Sequence, residues 1–169
     1  PINTPSGAYV PEDEHSSAGS MTLRTALRTS SNRAAVQLLR TVGIAEAVDT
    51  AQALSLGRMP AVPSMALGAG EVTLQALTAA SGAFASAGVL RQPYLVRRVE
   101  DQDGNVLYAT EARETRVFSE ETAFLVTSML ADVINAGTAW RARADGFRLP
   151  AAGKTGTTND YHGVWFVGY

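Results

Sequence analysis

Two short runs carry side chains whose types and spacing suit them to chemistry. One is Ser30-Ser31-Asn32, and the other is Lys154-Thr155-Gly156-Thr157. Lys154 is the only lysine among 14 basic residues, the rest being arginine. Where arginine serves everywhere else, a solitary lysine marks a place that needs a compact ammonium rather than a planar fork. Gly156 lets a ligand or another backbone approach the chain closely. Thr155 and Thr157 add two hydroxyls and an ordered row of backbone N–H groups, a sensible receptor for a carboxylate and for an oxyanion. Each run is weak alone. A Ser-x-Asn triplet is equally a helix cap, because these side chains compete for backbone hydrogen bonds. Lys-Thr-Gly is equally an exposed strand end.

Other chemistries fit poorly. Gly153-Lys154-Thr155 suggests a phosphate loop, but the glycine required five positions earlier is Arg148, and Gly156, Asn159 and Asp160 break the helix that would have to follow. The two histidines, His15 and His162, have no ligand spacing and read as exposed loop residues, so no metal or other cofactor is expected. The acidic residues fall mostly in loops and first helical turns, without the facing pair that glycosidases need. A net charge of -2 offers no electrostatic grip on nucleic acid or anionic lipid. The chain has no cysteine, hence no disulfide or thiolate metal site. No apolar run approaches the roughly 20 residues that span a bilayer, so no membrane contact is expected from this segment.

The elements that must position the two runs can be read from periodicity. Residues 1–19 are rich in Pro, Gly, Ser and acidic residues and read as loop. Thr22 can start a helix bearing Leu23, Ala26 and Leu27, which Thr29 to Asn32 interrupts. A second helix carries Ala35, Val36, Leu38, Leu39 and Val42 and stops at Gly43. A third runs from about Ala45 to Leu54. Residues 57–70 form a Gly/Pro-rich connection. Val72 to Ala87 reads as a helix buried on more than one side. Pro93 to Tyr108 reads as a hairpin turning at Asp101 to Gly104. Ser119 caps a helix that starts with Glu120 and Glu121 and continues to Gly137. A short helical turn holds Trp140. Ala151 to Thr157 and Val164 to Tyr169 read as antiparallel strands joined by a polar loop over 158–163. Helices come first and strands last without βαβ alternation, which predicts an α+β fold with helices packed against an antiparallel sheet.

With these blocks in order, the chain resembles the transpeptidase domain of penicillin-binding proteins, most closely the class A, bifunctional type. The resemblance rests on Gly19 to Asn32 (GSMTLRTALRTSSN), Leu67 to Gly88, Gly137-Thr138-Ala139 and Ala152 to Tyr169. It implies a β-lactamase/D,D-transpeptidase-like fold and acyl transfer on D-Ala–D-Ala stem peptides of peptidoglycan through a serine acyl-enzyme, which β-lactams stall. By motif match, Ser30 would relay a proton, Asn32 would bond the substrate amide and orient a catalytic lysine, and Lys154 would support the relay. Thr155, Gly156 and Thr157 would form the substrate-binding strand, and the Thr157 N–H would supply half of the oxyanion hole. The implied location is extracytoplasmic, in a membrane-anchored parent that also carries a glycosyltransferase. A penicillin-sensing module and a serine β-lactamase are the alternatives.

Two departures matter. The family's Ser-x-x-Lys, which supplies the nucleophile, is absent, because Ala151 stands three residues before the sole lysine. Residues 1–169 are therefore expected to be a partial domain, lacking the upstream Ser-x-x-Lys segment and strands after Tyr169, and to be inactive and marginally stable alone. Members also commonly carry Asp-Ala before Trp-Phe-Val-Gly-Tyr, where this chain has Gly163-Val164.

Overall fold

A computed structural model describes residues 2–4, 7–9, 11, 13, 19–157 and 163–169. Both histidines and residues 158–162 of the loop expected over 158–163 lie outside these residues. The elements in chain order are β1 (Ile2–Thr4), β2 (Gly7–Tyr9), α1 (Leu23–Thr29), α2 (Asn32–Val42), α3 (Ile44–Ala53), a 3-10 turn (Pro63–Leu67), α4 (Leu74–Ala85), β3 (Val89–Arg91), β4 (Arg98–Glu100), β5 (Val106–Ala109), β6 (Glu114–Arg116), α5 (Glu120–Ala136), α6 (Arg141–Ala144), β7 (Gly153–Thr157) and β8 (Val164–Gly168).

Capping chemistry explains where the helices start. The hydroxyls of Thr22, Ser31, Thr73 and Ser119 each accept a hydrogen bond from the backbone N–H three residues on. Such a cap contributes about 1 kcal/mol. Glu120 and Glu121 occupy the first turn of α5, where the helix dipole favours negative charge. α5 is the central strut, packing against α1, α4 and β7. Val133 and Ile134 on α5, Ala26 of α1, Val36 and Leu39 of α2, and Ala152 just before β7 are each buried. A packed core joins Leu54, Ala80, Ala83 and Leu90, with Phe84 stacked on Phe118 at 5.2 Å between ring centroids. α4 meets both α5 and β3, but its first turn, with Leu74, stands exposed.

The α+β expectation holds, with one difference in the sheet. The strands pair antiparallel, but as four separate two-stranded pairs among the described residues: β1–β2, β3–β6, β4–β5 and β7–β8. The hairpin expected from Pro93 to Tyr108 is the β4–β5 part of a longer ribbon whose base, β3–β6, lies outside those limits. β1 and β2 replace part of the loop expected over 1–19. Strands of three residues are too short for alternation to show in sequence. The same limit hid the 3-10 turn. Among the described residues, no helix is long and apolar enough to cross a membrane.

Candidate active site

The break between α1 and α2 is built by three consecutive polar residues with three different duties. Ser30 ends α1 in a left-handed conformation, φ 58° and ψ 44°. That conformation costs a non-glycine residue about 1–2 kcal/mol, and residues held this way cluster at functional sites. A hydrogen bond of 2.9 Å from the Ser31 N–H to the Ala26 carbonyl closes the helix end. Ser31, the buried polar residue among those described, caps α2 by accepting from the Ala34 N–H at 3.3 Å. Asn32 opens α2 and lines the cleft. The cap that Ser-x-Asn could have been is thus the middle serine, which leaves the Ser30 hydroxyl available to the cleft.

That cleft, about 530 Å³ in volume, runs between the α1–α2 bend and β7. Ser30, Asn32, Lys154, Thr155, Gly156 and Thr157 all line it. Residues far apart in sequence therefore meet: the Lys154 ammonium donates to Ser30 Oγ at 2.9 Å (124 positions away) and to the Thr155 carbonyl at 2.8 Å. Among the described residues, no carboxylate pairs with Lys154. Burial holds its pKa below the usual lysine value of 10.5, because removing water disfavours the charged form.

Register fixes which backbone groups β7 offers. Ala152 exchanges both of its hydrogen bonds with Tyr169, at 2.8 and 2.9 Å. Alternation then aims Lys154 and Gly156 at β8, and turns the N–H and C=O groups of Thr155 and Thr157 to the opposite edge. Lys154 reaching the Thr155 carbonyl is consistent with that edge facing the cleft. A Cβ added at Gly156 would meet nothing within 4 Å among the described residues, which leaves room for a ligand beside the strand there.

Two contributors were not singled out from sequence. Asp13 accepts from Ser31 Oγ at 3.0 Å and from the Arg33 N–H at 3.1 Å. Burial pushes its pKa up, but hydrogen bonds from Arg33, Ser31 and Asn32 outweigh that and hold it below the usual carboxylate value of 3.8. No local pattern could reveal it, since Asp13 lies 18 residues before Ser31 in a stretch without periodicity. Thr138 is the other. Its backbone N–H donates to the Arg28 carbonyl at 3.2 Å, and its hydroxyl lies 2.6 Å from that of Thr155. The Gly137-Thr138-Ala139 block was visible in sequence, but nothing there said what it touches.

A left-handed serine beside a half-buried ammonium, facing a strand edge rich in N–H groups, is an arrangement able to hold a carboxylate and an oxyanion. Over residues 3–169 the chain matches the family model described as the penicillin binding protein transpeptidase domain, and it belongs to that family. It is 37% identical to penicillin-binding protein 1A of Aquifex aeolicus over 151 residues, covering 89% of this chain and 20% of that protein. The chain thus spans about a fifth of the length of such relatives. Its backbone is similar to the crystal structure of penicillin-binding protein 1A from Haemophilus influenzae, with TM-score 0.80, 28% identity, and coverage of 88% of this chain and 28% of that one. It is also similar to the D,D-transpeptidase domain of a peptidoglycan glycosyltransferase from Eggerthella lenta, with TM-score 0.75, 25% identity, and coverage of 90% and 46%.

Proposed function

We propose that this chain is the part of a D,D-transpeptidase domain that receives the peptidoglycan stem peptide and β-lactams. The supporting observation is the 2.9 Å contact between Lys154 Nζ and Ser30 Oγ inside a cleft edged by Thr155 and Thr157. The nucleophile is a serine of a Ser-x-x-Lys segment outside these 169 residues, which makes the chain a partial domain. That serine attacks the carbonyl between the two D-Ala residues, and the negative oxygen is held partly by the Thr157 N–H. As the C–N bond breaks, Ser30 passes a proton to the departing D-Ala amine, and Lys154 supports the transfer with its charge. Asn32 bonds the substrate amide, and the hydroxyls of Thr155 and Thr157 take the terminal carboxylate. An amine of a second strand then resolves the acyl-enzyme. The parent acts outside the cytoplasm, is anchored in the membrane and carries a glycosyltransferase, in keeping with the class A type.

Labelling with a fluorescent penicillin tests this. A longer polypeptide that includes the Ser-x-x-Lys segment should label covalently, while the 169-residue chain should not. Covalent labelling of the 169-residue chain would falsify the placement of the nucleophile. No labelling of the longer polypeptide would remove the transpeptidase reading itself.

A further inference from the structure

Thr138 touches both walls of the cleft without lining it. Its N–H holds the carbonyl of Arg28, two residues before Ser30, and its hydroxyl meets Thr155 on β7. Its position is closely set, because a Cβ on the preceding Gly137 would lie 2.5 Å from the Arg28 carbonyl oxygen and 2.7 Å from Val133 Cα. We infer that Thr138 is a positioning residue that fixes the direction of the Thr155 hydroxyl, so that Thr155 donates its proton to the carboxylate of a bound ligand.

Counting protons gives the direction. The Lys154 ammonium can only donate, and it lies 3.5 Å from Thr155 Oγ1 as well as 2.9 Å from Ser30 Oγ. Thr155 Oγ1 therefore faces the same space as the ammonium. In the chain as it stands, either threonine can donate across their 2.6 Å contact. A carboxylate accepts only, so once it takes the single Thr155 proton, the contact persists only with Thr138 as donor. A hydroxyl that accepts a hydrogen bond is polarised into a better donor, so Thr138 strengthens the grip of Thr155 on the ligand. Neither threonine changes charge in this scheme.

The inference rests on the carboxylate role proposed for Thr155, and the experiment separates the two. In the longer polypeptide with its Ser-x-x-Lys segment, acylation rate constants are measured with a fluorescent penicillin and with its methyl ester, which lacks the carboxylate charge. Thr138→Val should slow acylation by the free acid about fivefold to tenfold, the scale of one neutral hydrogen bond. Acylation by the ester should change less than about twofold. Thr138→Ser keeps the hydroxyl and should restore the free-acid rate. Adding Thr138→Val to a Thr155→Val variant should produce no further loss of discrimination. Equal slowing of acid and ester by Thr138→Val, or an unchanged acid-to-ester ratio, overturns the role of Thr138. If Thr138→Val does not fold, the ratio is read in Thr138→Ala, where an unchanged value is equally fatal. A wild-type protein indifferent to esterification, or one whose preference survives Thr155→Val, removes the carboxylate role of Thr155 and this inference with it.

Discussion

The corner where α1 meets α2 and the ribbon over residues 92–113 are built from similar polar and apolar residues, yet they are held in opposite ways. Four separate chain segments converge on the corner: Asp13 from before the first helix, the Ser30–Asn32 bend, the Gly137-Thr138 link after α5, and β7. The ribbon is held by its own pairing and by a turn in which Asp101 Oδ1 accepts from the Asp103 and Asn105 N–H groups at 2.9 and 2.8 Å. Its apolar side chains face outward, with Leu95 95% exposed and Leu107 67% exposed. The difference shows where tertiary structure is spent. A strained serine and an ammonium without a carboxylate partner among the described residues persist only where surrounding contacts over-determine them, and the ribbon has nothing comparable to hold in place.

Breaking this contrast should have its largest effect at Lys154. In a longer polypeptide bearing the nucleophile, Lys154→Ala should slow acylation by about 10²- to 10³-fold, whereas Arg148→Ala should leave it unchanged. Equal effects in rapid-mixing kinetics would refute the assignment of Lys154. Stability should move the other way. Because burial holds the folded-state pKa of Lys154 below 10.5, the native protein binds fewer protons than the unfolded chain just below pH 10.5. The Lys154 contribution therefore opposes folding at neutral pH, and stability rises with pH up to about the unfolded value. Lys154→Met should raise the denaturant midpoint at pH 7 and flatten that alkaline rise. A lowered midpoint would contradict the desolvation argument.

Next in size is Gly137. A valine there would meet backbone atoms of Arg28 and Val133 on both sides, and overpacking against backbone costs about 1–3 kcal/mol. Urea titration of Gly137→Val would expose the error if the midpoint stayed put. Asp13→Ala should cost about 1–2 kcal/mol, by removing an acceptor shared by the bend and the start of α2. Since the Asp13 pKa is depressed below 3.8, its contribution is present above that value and is lost as pH falls through the folded-state pKa. An Asp13→Ala variant with the same acid-unfolding curve as the wild type would show that the carboxylate stabilises nothing. The smallest effect belongs to the ribbon, where Leu107→Ser should stay within about 0.5 kcal/mol. A larger loss in calorimetry would mean that the ribbon has a packing partner.

Much of the helical layout was legible because helix signals are local. Thr22, the Thr29 to Asn32 run and Ser119 each announce a start close to the group they cap, and Gly43 and Gly137 mark stops, whereas the pattern predicts a start at Val72 and the cap is Thr73. The terminal hairpin was legible for the same reason, with β7 and β8 close to the limits read from composition. The β3–β6 base of the ribbon was not. Its strands are three residues long and lie more than 20 residues apart, beyond any window that periodicity can fill. Val164, Trp165 and Phe166 on β8 are exposed on both faces of the strand, since successive side chains alternate, so neither face of this stretch is fully covered among the described residues.

Residue types alone determined that this protein holds a solitary ammonium, two threonines around a glycine, and a polar break between two helices, because chemical identity and local backbone preference need no partner. Only tertiary structure decided that Lys154 lies 2.9 Å from Ser30, that Thr138 ties Arg28 to Thr155, and that Asp13 braces the bend. Those contacts join positions between 17 and 124 residues apart. Distances of that kind are set by how α5 packs on α1 and β7 together, and no short stretch of sequence contains that information.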